Sequence, residues 1–482
     1  MSTRINHKIR WIGALSLIYL TLSITACKTP ALVSRTVNKS VPASYNTAQD
    51  TVNSAKLTWR HFFTDPNLVA LIDSALYRNQ ELNITLQEIE IANNEINARK
   101  GEYMPFVRVG GGSGVEKVSR YTSQGASDEI SEIKPGKPTP AVLPNSYFGA
   151  FASWEVDIWH KLRNARKVAV ANYYGTIEGK NFLVTQLVSE IAASYYELMA
   201  LDNQLETISR NIDILNNALS IIRQEKEAAK VTELAVRRFE AEVYKTQSMQ
   251  YEIKQKIVET ENRINFLVGR YPQRVNRSSQ QFNELVLQKI QAGIPAQLLA
   301  NRPDIRQAEL QLEAAQLNIS VARANFYPSL GLSASLGISS FNPLYFANLP
   351  LSLMSLLAGD MAGPLINKNA ITAQYKNANA KQIQAIYNYE RTVLNAYIEV
   401  INQLSNIDNL EKNYTMKNNQ VDALVKSTAI SLTLFKSARA DYMEVLLTQR
   451  DVLDSRMELI ETRMRQLNAL VNTYRALGGG WN

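Results

Sequence analysis

Lys100-Gly-Glu-Tyr-Met-Pro105 runs into Phe106-Val-Arg-Val-Gly-Gly-Gly-Ser-Gly114, and far downstream Arg323-Ala-Asn-Phe-Tyr-Pro328 runs into Ser329-Leu-Gly-Leu-Ser-Ala-Ser-Leu-Gly337. In each, a polar helical stretch stops at an aromatic residue and a proline, then gives way to alternating small and apolar residues. The period of the pattern changes from 3.6 to 2 at the same place in both. Further on, Ser194-Tyr-Tyr-Glu-Leu198 and Ala396-Tyr-Ile-Glu-Val400 lie inside two long helical patterns. The same features met twice in the same order read as an internal duplication of short helix, hairpin, long helix and helix.

Outward from these stops, the first long pattern carries Leu187, Ile191, Ser194, Leu198, Leu201, Leu205, Ile208, Ile212, Leu215, Leu219 and Ile222, in steps of four and three. Such a seam packs against another helix by knobs into holes. Free of proline from Ala165 to Ala229, the run predicts a helix ~95 Å long at 1.5 Å per residue. Its counterpart spans Ala370 to Phe435, with Val393, Val400, Ile407, Tyr414 and Val421 in heptad register. A shorter helix follows each, over Thr232 to Val268 and Ala440 to Ala476, the latter with a seam from Leu453 to Tyr474. A short helix also opens each half, over Pro66 to Arg99 and Pro303 to Arg323. Two short helices end to end match one long helix in rise, as the wall of a cylinder of uniform height requires.

The strand-like stretches are Tyr103 to Val118 and Ser146 to Ile158, separated by the Gly, Ser and Pro-rich Ser119 to Asn145, then Tyr327 to Ser339 and Pro350 to Met361. Each has the length that a tilted strand needs to cross a bilayer. Four strands cannot close on themselves, and open edges in lipid leave backbone groups unsatisfied, so a barrel must be shared between chains. The expected organisation is a leader over 1–26, an N-terminal segment over 27–65, a first repeat over 66–268 with its hairpin at 103–158, a connector over 269–302, a second repeat over 303–476 with its hairpin at 327–361, and a tail over 477–482. The fold class is a mixed α and β membrane protein, one intertwined body with no Pro, Gly or Ser-rich linker between separate cores.

Arg4, Lys8 and Arg10 precede an apolar run from Trp11 to Ile24 and then Thr25-Ala-Cys27, the pattern of an export signal. Cys27, following a small residue, resembles the lipobox cysteine of bacterial lipoproteins, which implies cleavage before it and acylation of its thiol and new amino group. Lys28 in the next position is compatible with sorting to an outer membrane. As the only cysteine in the chain, Cys27 also excludes a disulfide framework in an oxidising compartment. The formal net charge is +8, three of the cations fall in the leader, and no dense basic run stands elsewhere, so nucleic-acid binding finds no support. After the leader no run of 18 apolar residues occurs, which argues against membrane-spanning helices and leaves a β-barrel open.

Catalytic chemistry has no candidate. His7, His61 and His160 have no metal-ligand spacing with one another or with Cys27. Gly110 to Gly114 lacks the lysine and the following helix of a phosphate loop and suits a curved strand. Gly478 to Gly480 reads as a frayed tail after the last helix. The expectation is a non-enzyme without cofactor or metal.

Ala296-Gln-Leu-Leu-Ala-Asn-Arg-Pro-Asp-Ile-Arg-Gln-Ala-Glu-Leu-Gln-Leu-Glu-Ala-Ala315, followed by Ala322-Arg-Ala-Asn-Phe-Tyr-Pro328, closely resembles the signature of the TolC-type outer-membrane efflux proteins. The likeness is greatest to the lipoprotein branch of OprM and CusC, which serves resistance-nodulation-division pumps. Asn265-Phe-Leu-Val-Gly-Arg-Tyr-Pro272 and Trp154-Glu-Val-Asp-Ile-Trp159 match where that family would have them. The resemblance implies a homotrimer with a twelve-stranded barrel, four strands per chain, in outer-membrane lipid. It further implies a periplasmic tunnel of twelve helices docked to a membrane-fusion adaptor and an inner-membrane transporter. Arg302-Pro-Asp304 has a local reason of its own, because Pro suits a first helical turn and Asp304 favours the positive helix end.

In the family the far end of the tunnel closes at helix-turn-helix tips, here expected over Glu225 to Arg238 and Phe435 to Leu447. By resemblance Glu444 stands where an acidic ring residue lies and Arg439 where a gate-linking arginine lies, with Asp441 beside them and Glu233 as the candidate acid of the first tip. Leu447 stands where a second acid is frequent, and Ser437-Ala438 where a glycine commonly turns the tip. The local alternative makes Arg439, Asp441 and Glu444 solvated charges at a helix start, with Asp441 as its cap. The function expected is a passive exit duct for small toxic compounds; a type I protein-secretion duct or a non-conducting periplasmic scaffold are the alternatives.

Overall fold

The computed structural model describes residues 29–45, 52–285, 290–364, 366–437 and 439–481, so the predicted leader and Cys27 lie outside the described residues. The main elements are α1 (Pro66–Arg78), α2 (Gln80–Glu102), β1 (Phe106–Glu116), β2 (Leu143–Val156), α3 (Lys161–Glu227), α4 (Glu233–Val268), α5 (Pro303–Ala324), β3 (Ser329–Ser340), β4 (Leu353–Ala362), α6 (Asn369–Lys436) and α7 (Tyr442–Ala476). Three sequence expectations need correction, the third at the C-terminal tail. The helix expected over Pro66 to Arg99 is two helices, because Asn79 is extended (φ −61°, ψ 126°) and its Oδ1 accepts from the Leu82 N–H, starting a new helix. The stretch Ser119 to Asn145 is not bare loop: Thr122 Oγ1 accepts from Gly125 N–H and caps a short helix over Ser123–Ile130, and a small hairpin pairs Glu132–Lys134 with Lys137–Pro138.

The chain forms two compact units that do not follow its two halves. Among the described residues, one holds 29–36 with Glu90–Tyr173 and Leu310–Ile386; the other holds those of 37–89, Tyr174–Glu309 and 387–481. In the first unit the four strands make one antiparallel sheet in the order β1-β2-β3-β4. Its central pairing joins the hairpins of the two halves, from Ser146 opposite Ser340 to Val156 opposite Leu330. Aromatic residues fasten one end of the sheet: Trp154 Nε1 donates to the Tyr103 carbonyl (3.0 Å), and Trp159 Nε1 donates to that of Pro328 (2.7 Å) while its ring stacks on Tyr327. There the buried Asp157 carboxylate accepts from the N–H groups of Leu162 and Arg163, satisfying the first donors of α3.

In the second unit the seam of α3 is the core. Leu187, Ile191, Ser194, Leu198, Leu201, Ile208, Leu215, Leu219 and Ile222 are all buried, as are Leu453, Ile460, Leu467, Val471 and Tyr474 of α7. The duplication is visible down to single hydrogen bonds. Asn79 Nδ2 donates to the Leu267 carbonyl at the end of α4, and Arg302 Nη1 donates to the Ala476 carbonyl at the end of α7, both at 2.8 Å. After each helix a glycine takes the left-handed conformation, Gly269 at φ +74° and Gly478 at φ +91°. The next residue then closes a six-residue turn, Arg270 N–H to Asn265 O and Gly479 N–H to Tyr474 O. A Cβ on Gly269 would stand 2.4 Å from Arg78 O, and one on Gly478 would stand 2.7 Å from Asn301 O. The tail expected to fray is therefore built structure: Gly478, Gly479 and Gly480 are buried, and Trp481 Nε1 donates to the carbonyls of Asn301 and Gly478. Glycine here supplies the one backbone conformation that the closure needs.

Arg302 is the hub of this closure. Its guanidinium donates to Asp304 through Nε and Nη2, to Glu399 and to Ala476 O, and Arg475 shares Glu399. Burial works against its charge, but the carboxylates of Asp304 and Glu399 outweigh that and raise its pKa. Elsewhere in the same unit, half-buried Arg277 bridges Asp202 and Glu261.

Candidate functional site

Two features of the chain point outside it, one in each unit. Because successive strand residues alternate and directly paired residues share a face, the register sorts every side chain of the sheet. One face carries Val107 and Val109 of β1, Phe148, Ala150 and Trp154 of β2, Leu332, Leu336 and Ile338 of β3, and Leu353, Leu357 and Met361 of β4. The other is mixed: it carries Arg108, Gly110, Gly112 and Glu116, then Tyr147, Phe151, Ser153 and Glu155, then Ser333 and Ser335, then Met354, Leu356 and Asp360. The apolar face is open, with Val109 70 % and Leu357 82 % exposed. A contiguous apolar sheet face of this kind is a liability in water and a requirement in lipid. The outer edges of β1 and β4 have no partner strand among the described residues.

The second feature is the pair of turns that join α3 to α4 and α6 to α7. Lys230 N–H donates to Glu225 O, and Arg439 N–H donates to Leu434 O, both at 2.9 Å, so both turns close in one way. Ala229 accepts the left-handed conformation (φ +57°) that glycine would take without strain. Leu215, Leu219, Ile222, Ala235, Val236, Phe239 and Val243 of the first hairpin pack with Leu446, Phe435, Tyr442 and Met443 of the second. Arg238 Nη1 also reaches Met443 Sδ (3.2 Å).

Arg439, Asp441 and Glu444 lie together on the second turn, all exposed, and Arg439 and Glu444 make no ion pair among the described residues. Asp441 holds the N-cap position of α7, but its side chain makes no capping bond. Glu233 sits on the first turn, two residues before Ala235, which is the position that matches Glu444. Its carboxylate pairs with Lys226 (2.7 Å) and Arg237 (2.8 Å), while Glu240 pairs with Arg223 (2.7 Å) and Arg237 (2.9 Å). The hydrogen bond from Lys226 is the main cause that lowers the Glu233 pKa, and that from Arg223 does so for Glu240. The sequence reading missed this network, although the Glu233 and Arg237 spacing of four residues signals it.

A family model described as outer membrane efflux protein matches residues 71–270 and 294–479. The chain belongs to the outer membrane efflux protein family. The probable outer membrane lipoprotein SilC of Salmonella typhimurium is 27 % identical over 445 residues, 91 % of each chain. The toluene efflux pump outer membrane protein TtgI of Pseudomonas putida is 28 % identical over 426 residues, 88 % of this chain and 87 % of its own. The fold matches the open state of the Neisseria gonorrhoeae MtrE outer membrane channel at a TM-score of 0.81 and 21 % identity, covering 94 % of this chain and 98 % of that one. This efflux protein thus has the TolC-type channel fold and works as an outer-membrane efflux channel of a Gram-negative bacterium. Proteins of this family are transporters rather than enzymes, working as trimers with an adaptor and an inner-membrane transporter.

Proposed function

We propose that three copies of this chain close a twelve-stranded barrel through the free edges of β1 and β4 and form a passive duct for small toxic compounds. The observation that supports the reading is the sheet itself: one exposed apolar face, an opposite face of mixed character, and two edges with no partner strand among the described residues fit a third of a lipid-embedded barrel. A resistance-nodulation-division transporter with its adaptor supplies the energy, and Cys27 carries the lipid anchor. Cargo of the kind for which TtgI is named, apolar solvents, is one candidate class, beside drugs and metal ions.

The paired hairpin turns form the periplasmic gate. Glu444 from three copies makes an acidic ring that favours cations at the constriction, and Arg439 links neighbouring tips. Asp441 starts the helix that presents Glu444, and Glu233 holds the first turn through Lys226 and Arg237. Opening exchanges links between tips for contacts with the adaptor, a two-state element biased by binding.

Electron microscopy of the mature protein extracted in mild detergent tests the duct: a three-fold hollow tube with a detergent belt at one end is expected, and a thin rod without lumen would sink it. For the gate, Glu444→Ala with Arg439→Ala is expected to raise resting conductance in planar bilayers. Unchanged conductance removes both residues from the gate.

A further inference from the structure

The two free edges of the sheet carry opposite charges. Within the four strands Arg108 is the single cation, and the acids are Glu116, Glu155 and Asp360. Glu155 is held by Lys161 (2.7 Å). Glu116 lies eight residues from Arg108 on the same strand, about 26 Å at 3.3 Å per residue. Arg108, over the Phe151 ring, and Asp360 are exposed and make no ion pair among the described residues. They stand on the mixed face at opposite edges, β1 and β4.

The strands limit how those edges can meet. A slip of one residue would set the apolar face of one copy beside the mixed face of the next, so only alternate registers are allowed. Of these, one pairs all ten residues of β4 with β1 of another copy, from Leu353 opposite Val115 to Ala362 opposite Phe106. It sets Asp360 directly opposite Arg108. Met361 of the apolar face then meets Val107, and Met354 meets Gly114, where a Cβ would touch nothing within its own chain. Leu356, level with Arg108 in its own copy, faces Gly112 of the next, an offset of four residues. Three copies raise the offset to the number of strands. An eight-stranded barrel with that ratio tilts its strands by about 36°, inside the range of about 35–45° of outer-membrane barrels.

We propose that β4 of each copy pairs with β1 of the next in this register, and that an ion pair between Asp360 and Arg108 of the next copy selects it. The proposal rests on the reading of the sheet as one third of a shared barrel. Opposite charges facing each other across an antiparallel pair favour the pairing, and like charges disfavour it.

The test uses the full-length protein in mild detergent. Arg108→Cys with Asp360→Cys should give, on oxidation, disulfide-linked dimers and trimers in a denaturing gel, while either substitution alone gives none. Opposite residues stand about 4.5–5.5 Å apart at Cα, within disulfide reach, and diagonal ones at about 7–8 Å do not. Val115→Cys with Leu353→Cys reads the same register at the other end of the seam without touching a charge. Absence of both cross-links from a protein that is still trimeric, or their replacement by one between Gly110→Cys and Asp360→Cys, would overturn the register and leave the shared barrel standing. A monomeric chain would overturn both. For the ion pair, Arg108→Glu and Asp360→Arg should each lower the temperature at which the trimer dissociates in dodecyl sulfate, and the two together should restore it. A double variant no more heat-resistant than the weaker single one removes the ion pair from the seam.

Discussion

The two hairpin turns share a backbone and differ in almost every side chain that surrounds it. Lys230 and Arg439 close the same turn, yet Arg223, Lys226, Glu233, Arg237 and Glu240 of the first face Leu432, Phe435, Tyr442, Leu446 and Gln449 at the matching positions of the second. The first turn is held by charges that neutralise one another. The second is apolar around its base, with Arg439 and Glu444 exposed beyond it. After duplication the main-chain hydrogen bonds kept the geometry, because any sequence can make them. Side chains then diverged into a set of exposed ion pairs in one copy and, in the other, an apolar base with exposed charges unpaired among the described residues.

The largest expected break between the halves lies where Arg302 replaces Asn79. Arg302→Met leaves Asp304 and the Ala476 carbonyl without their buried donor and Glu399 with Arg475 alone, and should cost about 3–5 kcal/mol in chemical denaturation. Asn79→Ala, which removes one buried amide from the matching place, should cost about 1–3 kcal/mol. Equal costs would mean that the charged hub adds nothing to the closure.

Next come the paired glycines. Gly269→Ala and Gly478→Ala each place a Cβ in a left-handed backbone against a carbonyl, so each should cost about 2 kcal/mol or more, with melting temperatures falling together. A harmless Gly478→Ala would show that the C-terminal closure is dispensable and the likeness of the two ends superficial.

Smaller effects separate the turns themselves. The Glu233 and Glu240 carboxylates have lowered pKa values in the folded chain, so their stabilisation is complete above the ordinary carboxylate range and is lost as pH falls through their lowered values. Hydrogen exchange of the α3–α4 turn should therefore quicken in acid, and also in salt near 1 M, where the screening length is about 3 Å. The α6–α7 turn, lacking that network, should respond less; an equal response would dissolve the contrast. Last, Ala229→Gly relieves a left-handed alanine and should stabilise the first turn by about 0.5–1 kcal/mol in protection measured by exchange.

Much of this was legible before any coordinates. Proline stops at Pro105 and Pro328 placed the strands, and the heptad seam from Leu187 to Ile222 announced a helix whose inward residues are buried. Both signals are local and periodic, and periodic burial is what a sequence encodes most directly. The break at Asn79 was missed because an N-cap inside a helical pattern looks like one polar residue among many. The network around Glu233 is hard to see in the sequence because two of its members, Arg223 and Lys226, sit across the turn on the preceding helix.

By itself the sequence determined the duplication, the change of period from helix to strand, and the family. Only the tertiary structure decided which faces of the sheet are apolar, and that Gly478 repeats the work of Gly269. The first group rests on spacing along one chain, which is fixed covalently. The second rests on which segments far apart in sequence come to lie side by side, and hydrogen bonds, charge pairing and burial are settled only there.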